Sequence, residues 1–290
     1  MMQKIAIVTD SNSGLQNNHE EKGLYVIPMP FIINEKTYLE GKEISNEKFF
    51  EYLEGDNHVT TSQPLIEHVV GLFNDLLTRY DEIVHIPMSS SLSNTYETAV
   101  LIGKQISEDR IHVVDNKKIS LMQKQSAYDA VEMAKSGISG SDIKTILESR
   151  IGDGRIYLAV DTLKYLKKGG RITPAVAAIG TLLKIKPVLK IEGGKLDTFA
   201  KVRTNVQAKK LMVDQLKKDF ETLYNSDPSK VHIGIAHAKA MKEALELKEE
   251  LLKEFSFLND VEIDNLSLSV TTHTGPGSLG ILIYGRNSST

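Results

Sequence analysis

The chain reads as an α/β protein of two domains, an N-terminal one built on a parallel sheet and a C-terminal one built on a mixed sheet. Three observations point there. Apolar strand-like runs alternate with helical stretches through the first half, which is the pattern of strand–helix–strand units. Those strands are apolar throughout, as strands buried on both faces must be. In the second half Gly193-Gly194 separates two apolar runs, a hairpin signal foreign to an all-parallel sheet.

Lys4-Ile-Ala-Ile-Val-Thr-Asp10 is the first strand, closed by polar residues. From Leu65 to Tyr80, Leu65, Val69, Leu72, Phe73, Leu76 and Leu77 form one stripe at helical spacing. Glu82 to Pro87 is the next strand. A helix follows from about Asn94, where Asn94 and Glu97 have capping-box spacing. Ile111 to Asp115 is another strand, and the helix after it stops near Gly137. Beyond Gly152-Asp-Gly154 the pattern changes, giving domains 1–154 and 155–290. Arg155 to Val160, Pro187 to Ile191 and Leu196 to Val202 read as strands, and Thr204 to Tyr224 as a long polar helix. Strand His232 to Ala236, helix Met241 to Phe255, strand Val261 to Ser269 and strand Leu279 to Tyr284 complete the chain.

Hydrophobic residues make up 41% and charged residues 25% of the 290 residues, the composition of an ordinary globular protein. A net charge of −3 offers no basic field for nucleic acid or an anionic membrane surface. The absence of cysteine excludes disulfides, a thiol nucleophile and thiolate-held metals. The N-terminal apolar run is too short for a signal peptide, and no apolar run approaches a membrane span. The expected location is the cytoplasm, without stable membrane insertion.

Functional loops of a parallel sheet belong at the strands' carboxyl ends, where Asp10-Ser11, Ser89 to Ser93 and Asp115-Asn116 all fall. Thr60-Thr61-Ser62 precedes Pro64 and a helix start; its hydroxyls suit either an anion or plain N-capping. Ser89 to Thr95 offers hydroxyls and amides to a phosphate or carboxylate, or is a solvated turn. It lacks the glycines and the Gly-Lys-Ser/Thr ending of a nucleotide loop. No Gly-x-Ser-x-Gly surrounds any of these serines, although His85, His112, His237 or His273 could serve a distant nucleophile as base. His273, in the turn-rich His273-Thr-Gly-Pro-Gly277, reads as an irregular-turn histidine with a pKa near working pH. Arg171 after Gly169-Gly170 is a natural partner for carboxylate or phosphate, though a basic helix with a glycine stop fits Lys164, Lys167 and Lys168 equally. Pro174 to Leu183 is apolar all round, so it is buried or lines an apolar cavity. No spacing suits a metal, and no cofactor is expected.

Taken in order, Thr9-Asp10-Ser11, Thr61-Ser62-Gln63-Pro64, Ser89 to Thr95, Tyr165 to Ile172, Ile185-Lys-Pro187 and His273 to Gly277 resemble the DegV family over about residues 3–285. These are bacterial fatty-acid-binding proteins, among them carriers that serve fatty acid kinase. The resemblance implies a non-catalytic lipid carrier that holds one long-chain fatty acid in a tunnel. It would present the carboxylate to a separate ATP-dependent kinase, which forms acyl phosphate for lipid metabolism. It implies that Thr61 and Ser93 bind the carboxylate, with Ser62, Arg171 and His273 near it or in contact with the partner or phosphoryl group. Leu65 and Asn94 depart from the family pattern, standing where a small polar residue and a glycine are common. A serine-dependent acyl hydrolase and a lipid-sensing regulatory protein are the alternatives.

Overall fold

The structure is a computed structural model that describes residues 4–171 and 185–286. The apolar stretch Pro174 to Leu183 lies outside the described residues. The chain divides into two compact units. Unit 1 comprises Met1–Gly152 with Ser267–Ser269, and unit 2 comprises Asp153–Leu266 with Val270–Thr290.

Unit 1 is built on a parallel sheet of four strands, β1 (Ile5–Asp10), β2 (Leu24–Ile27), β6 (Glu82–Ile86) and β7 (Ile111–Val113), in the order β2-β1-β6-β7. Successive residues of β1 feed opposite faces: Ile5 and Ile7 pack into one apolar cluster, Ala6 and Val8 into another. Helices α2 (Ile66–Leu77) and α3 (Thr95–Ser107) cover the Ala6/Val8 side with Val69, Phe73, Ala99 and Ile102. The Ile5/Ile7 side is covered by α4 (Leu121–Lys135) and α5 (Gly140–Glu148). The strand order reverses between β1 and β6, so the crevice of a parallel sheet falls at Asp10 and Met88. A second, antiparallel sheet of β3 (Pro30–Ile33), β4 (Lys36–Leu39) and β5 (Val59–Thr61), in the order β4-β3-β5, sets Thr61 opposite Phe31. Helix α1 (Asn46–Glu54) lies between β4 and β5 in the chain.

Unit 2 holds a mixed sheet of β8 (Gly154–Ala159), β9 (Lys186–Glu192), β10 (Lys195–Val202), β11 (Val231–His237), β12 (Glu262–Asn265) and β13 (Leu279–Gly285). Their order is β10-β9-β8-β13-β11-β12, antiparallel apart from β11 with β12. Gly193 and Gly194 turn the β9–β10 hairpin at φ 53° and 77°, the left-handed values such a two-residue turn needs. One face packs Tyr157, Ile233, Ile235, Ile281 and Ile283 against α7 (Asn205–Tyr224) and α8 (Met241–Glu254). The short helices α6 (Lys164–Lys168) and α9 (Leu268–Thr274) complete the described α-helices.

Three expectations are corrected. The run Val261 to Ser269 is a strand only over Glu262–Asn265; Leu268 already opens α9. His273 accordingly lies in the last turn of a helix, not in an irregular turn. Asn94 makes no side-chain cap on α3; the Ser93 hydroxyl accepts the Thr95 N–H instead, at 3.3 Å.

Candidate functional site

Within unit 1 the chain leaves β5 at Thr61 and reaches α2 through Ser62-Gln63-Pro64-Leu65. Thr61 is half-buried and Ser62 exposed. The N-cap of α2 is Leu65, which has no capping hydroxyl, so the Thr60-Thr61-Ser62 cluster does not cap that helix. Gln63 instead reaches α3, accepting the Thr98 hydroxyl on Oε1 at 2.5 Å. That bond joins the segment carrying Thr61 to the segment carrying Ser93. Sequence reasoning did not find it, since nothing in the spacing of Gln63 and Thr98 marks them as partners.

The serine-rich loop is shaped from within and pinned from outside. Leu92 and Ser93 donate their N–H groups to the Ser89 carbonyl, at 3.0 and 3.3 Å. Ser89 N–H donates to the Lys118 carbonyl at 2.9 Å, and Ser90 Oγ donates to Asp115 Oδ2 at 2.7 Å. Lys117 donates to the Ser90 hydroxyl and pairs with Asp115 at 2.5 Å. Burial would raise the Asp115 carboxyl, but the bonds from Lys117 and Ser90 outweigh it and hold it below its ordinary value. Ser93 is half-buried, with its Oγ 2.8 Å from Thr95 Oγ1.

Beneath these loops the β1 end is a closed polar cluster. Asp10 accepts from Asn12 N (3.0 Å), Gln123 Nε2 (3.0 Å) and Met88 N (2.8 Å). Glu40 accepts from Ser11 Oγ at 2.7 Å and from the Leu268 N–H. Asn12 Oδ1 receives the Ser267 and Ser269 hydroxyls at 3.0 and 2.5 Å. Burial raises both carboxyls, Glu40 up to about 7. Asp10-Ser11 is therefore part of the buried frame, its donors and acceptors used internally.

Within unit 2 the motifs around Arg171 and His273 interlock. A Cβ on Gly169 would stand 2.0 Å from His273 Nδ1, and one on Gly275 (φ +79°) 2.3 Å from Tyr165 Cδ2. A Cβ on Gly277 would stand 2.4 Å from Asp161 Oδ2, the carboxylate that pairs with Lys186. Each glycine lets a neighbouring side chain lie against backbone. Arg171 is exposed, its N–H bonded to the Leu166 carbonyl at 3.1 Å and Nη1 to the Gly169 carbonyl at 2.8 Å. Burial, reinforced by the Arg171 charge, pushes His273 down to about 4. His273 is thus neutral at neutral pH, which corrects the expectation of titration near working pH.

Among the described residues no group of three or more His, Asp or Glu side chains could hold a metal ion. No described helix is long and apolar enough to cross a membrane.

The family described as "Uncharacterised protein, DegV family" matches residues 4–286. Protein DegV of Bacillus subtilis (strain 168) is 33% identical over 285 residues, covering 96% of this chain and 98% of the relative. A DegV domain-containing protein of Staphylococcus aureus (strain N315) is 31% identical over 286 residues, covering 98% and 100%. Among solved structures, a DegV family protein from Thermus thermophilus described by its fatty acid binding superposes with a TM-score of 0.88 at 27% identity. DegV of Bacillus subtilis, described as a fatty acid binding protein, superposes with a TM-score of 0.83 at 32% identity. Each covers 98% of this chain and 100% of the other.

Proposed function

Since this chain belongs to the DegV family, we propose that it is a carrier of one long-chain fatty acid, with Thr61 and Ser93 binding the carboxylate. The observation that supports this most is the Gln63–Thr98 bond, which ties the two hydroxyl-bearing segments together at the starts of α2 and α3. Helix N-termini favour a negative charge, and hydroxyls supply the donors that a carboxylate leaving water requires. The tail supplies the driving force: at about 0.8 kcal/mol per buried methylene, a chain of roughly sixteen carbons carries on the order of 12 kcal/mol to set against the entropic cost of association.

The carrier reading extends to a partner. A separate ATP-dependent kinase would transfer the γ-phosphoryl group to the bound carboxylate, forming the acyl C(O)O–P bond and breaking the bond to the ADP oxygen. Arg171, exposed and cationic, and His273, neutral and held by Gly169, are the groups proposed to accommodate the phosphoryl charge. Ser62, exposed beside Thr61, is the third residue proposed for that contact. Against a serine hydrolase stands the state of Ser93: its oxygen accepts from Thr95, as a helix-start hydroxyl does.

Organic extraction of the purified protein followed by mass spectrometry tests the reading. A stoichiometric long-chain fatty acid is the expected result; protein that is empty and takes up no added fatty acid overturns it. Thr61→Ala and Ser93→Ala should each weaken binding of an added fatty acid about tenfold with the fold intact. Unchanged affinity in both would remove the assigned carboxylate site.

A further inference from the structure

Gln63 lies two residues beyond Thr61 and is half-buried. Its partner Thr98 lies in the first turns of α3, five residues beyond Ser93. An amide carries one acceptor and one donor group in a fixed plane, so holding one atom aims the other. Here Thr98 Oγ1 donates to Oε1 at 2.5 Å, and among the described residues nothing accepts from Nε2. The Thr98 hydroxyl thereby occupies the acceptor of Gln63 and leaves its two N–H donors available, in the linker that follows Thr61 between β5 and α2.

We infer that Gln63 is a third head-group residue of the site and the one that sets its preference: clamped by Thr98, it offers donors only, which suits an ionised carboxylate above other head groups. This rests on the carrier reading given above. A carboxylate is acceptor-only and can take the Thr61, Ser93 and Gln63 donors on its two oxygens. A long-chain alcohol has a single oxygen, no charge and a proton of its own to place. Its tail is the same, so any difference between the two ligands isolates the head group.

The test titrates hexadecanoic acid and hexadecanol into the wild type, Gln63→Glu, Gln63→Leu and Thr98→Val at pH 8. Gln63→Glu replaces the donor with a second anion. It should weaken acid binding by roughly ten- to a hundredfold, the worth of one hydrogen bond to a charged group. Alcohol binding should change by less than about threefold, which also shows that the variant is folded. Gln63→Leu removes the donor without adding charge and should lose about tenfold on the acid alone, keeping the comparison available if the charged variant fails to fold. Thr98→Val releases the amide and should shift the acid-to-alcohol ratio in the same direction by a smaller factor. Acid binding at the wild-type level in Gln63→Glu, or equal losses of acid and alcohol in Gln63→Leu, overturns the inference while leaving the carrier reading in place. A wild-type protein that takes up neither ligand overturns both.

Discussion

Gly169 and Gly170 are neighbours required for different reasons. Gly169 has ordinary φ, yet a methyl group there would meet His273 Nδ1 at 2.0 Å. Gly170 has nothing among the described residues within 4 Å of its missing Cβ but sits at φ +67°. Gly169→Ala should therefore displace the imidazole, cost about 1–3 kcal/mol in stability and raise the His273 pKa from about 4 toward its free value, read by NMR titration. Gly170→Ala should cost about 1–2 kcal/mol through backbone strain alone and leave that titration where it is. The sequence shows two glycines and an arginine; which glycine serves the histidine is visible only when residue 273 is placed beside residue 169.

The elements were legible where periodicity and burial agree. Strands β1 and β6 and helices α2, α7 and α8 stand within about three residues of where their apolar patterns place them. Strands β2 to β5 have only three or four residues each, too few to carry a pattern. The failure at Val261 to Ser269 has a definite cause. Leu266-Ser-Leu-Ser269 alternates like a half-exposed strand, yet all four residues are buried, because the serine hydroxyls are satisfied by Asn12. A polar residue with a buried acceptor breaks the inside–outside code on which the alternation rests. Capping divides the helices in the same way. Thr204 caps α7 by accepting the Gln207 N–H at 3.1 Å, so Thr204→Ala should lower stability by about 1 kcal/mol in denaturant unfolding. Helix α2 has Leu65 at its N-cap, which offers no hydroxyl to cap it.

For the molecule as a whole, the buried acids govern how stability follows pH. Glu40 holds its proton up to about pH 7 in the folded state against an ordinary 4.5. The folded chain therefore binds that proton more tightly, and the contribution is fully present below about 4.5 and lost as pH rises through about 7. By linkage it is on the order of 3 kcal/mol. His232 and His273, held near 4 by burial, act in the opposite sense, losing stability as pH falls below their free value. The difference between wild type and Glu40→Gln across pH 4.5–8 isolates the first effect; two parallel curves would show that Glu40 titrates as in the open chain. The same cluster has a consequence for how the protein is made. Asn12 and Glu40 leave the ribosome early, but the Ser267 hydroxyl, the Leu268 amide and the Ser269 hydroxyl that complete their bonding follow more than two hundred residues later. At roughly 5–20 residues per second the nascent N-terminal sheet waits on the order of ten seconds or more with those acceptors open to water. Its final locking belongs to the end of synthesis, so a chain stalled before residue 267 carries a first unit that is folded in outline and unsealed at its centre.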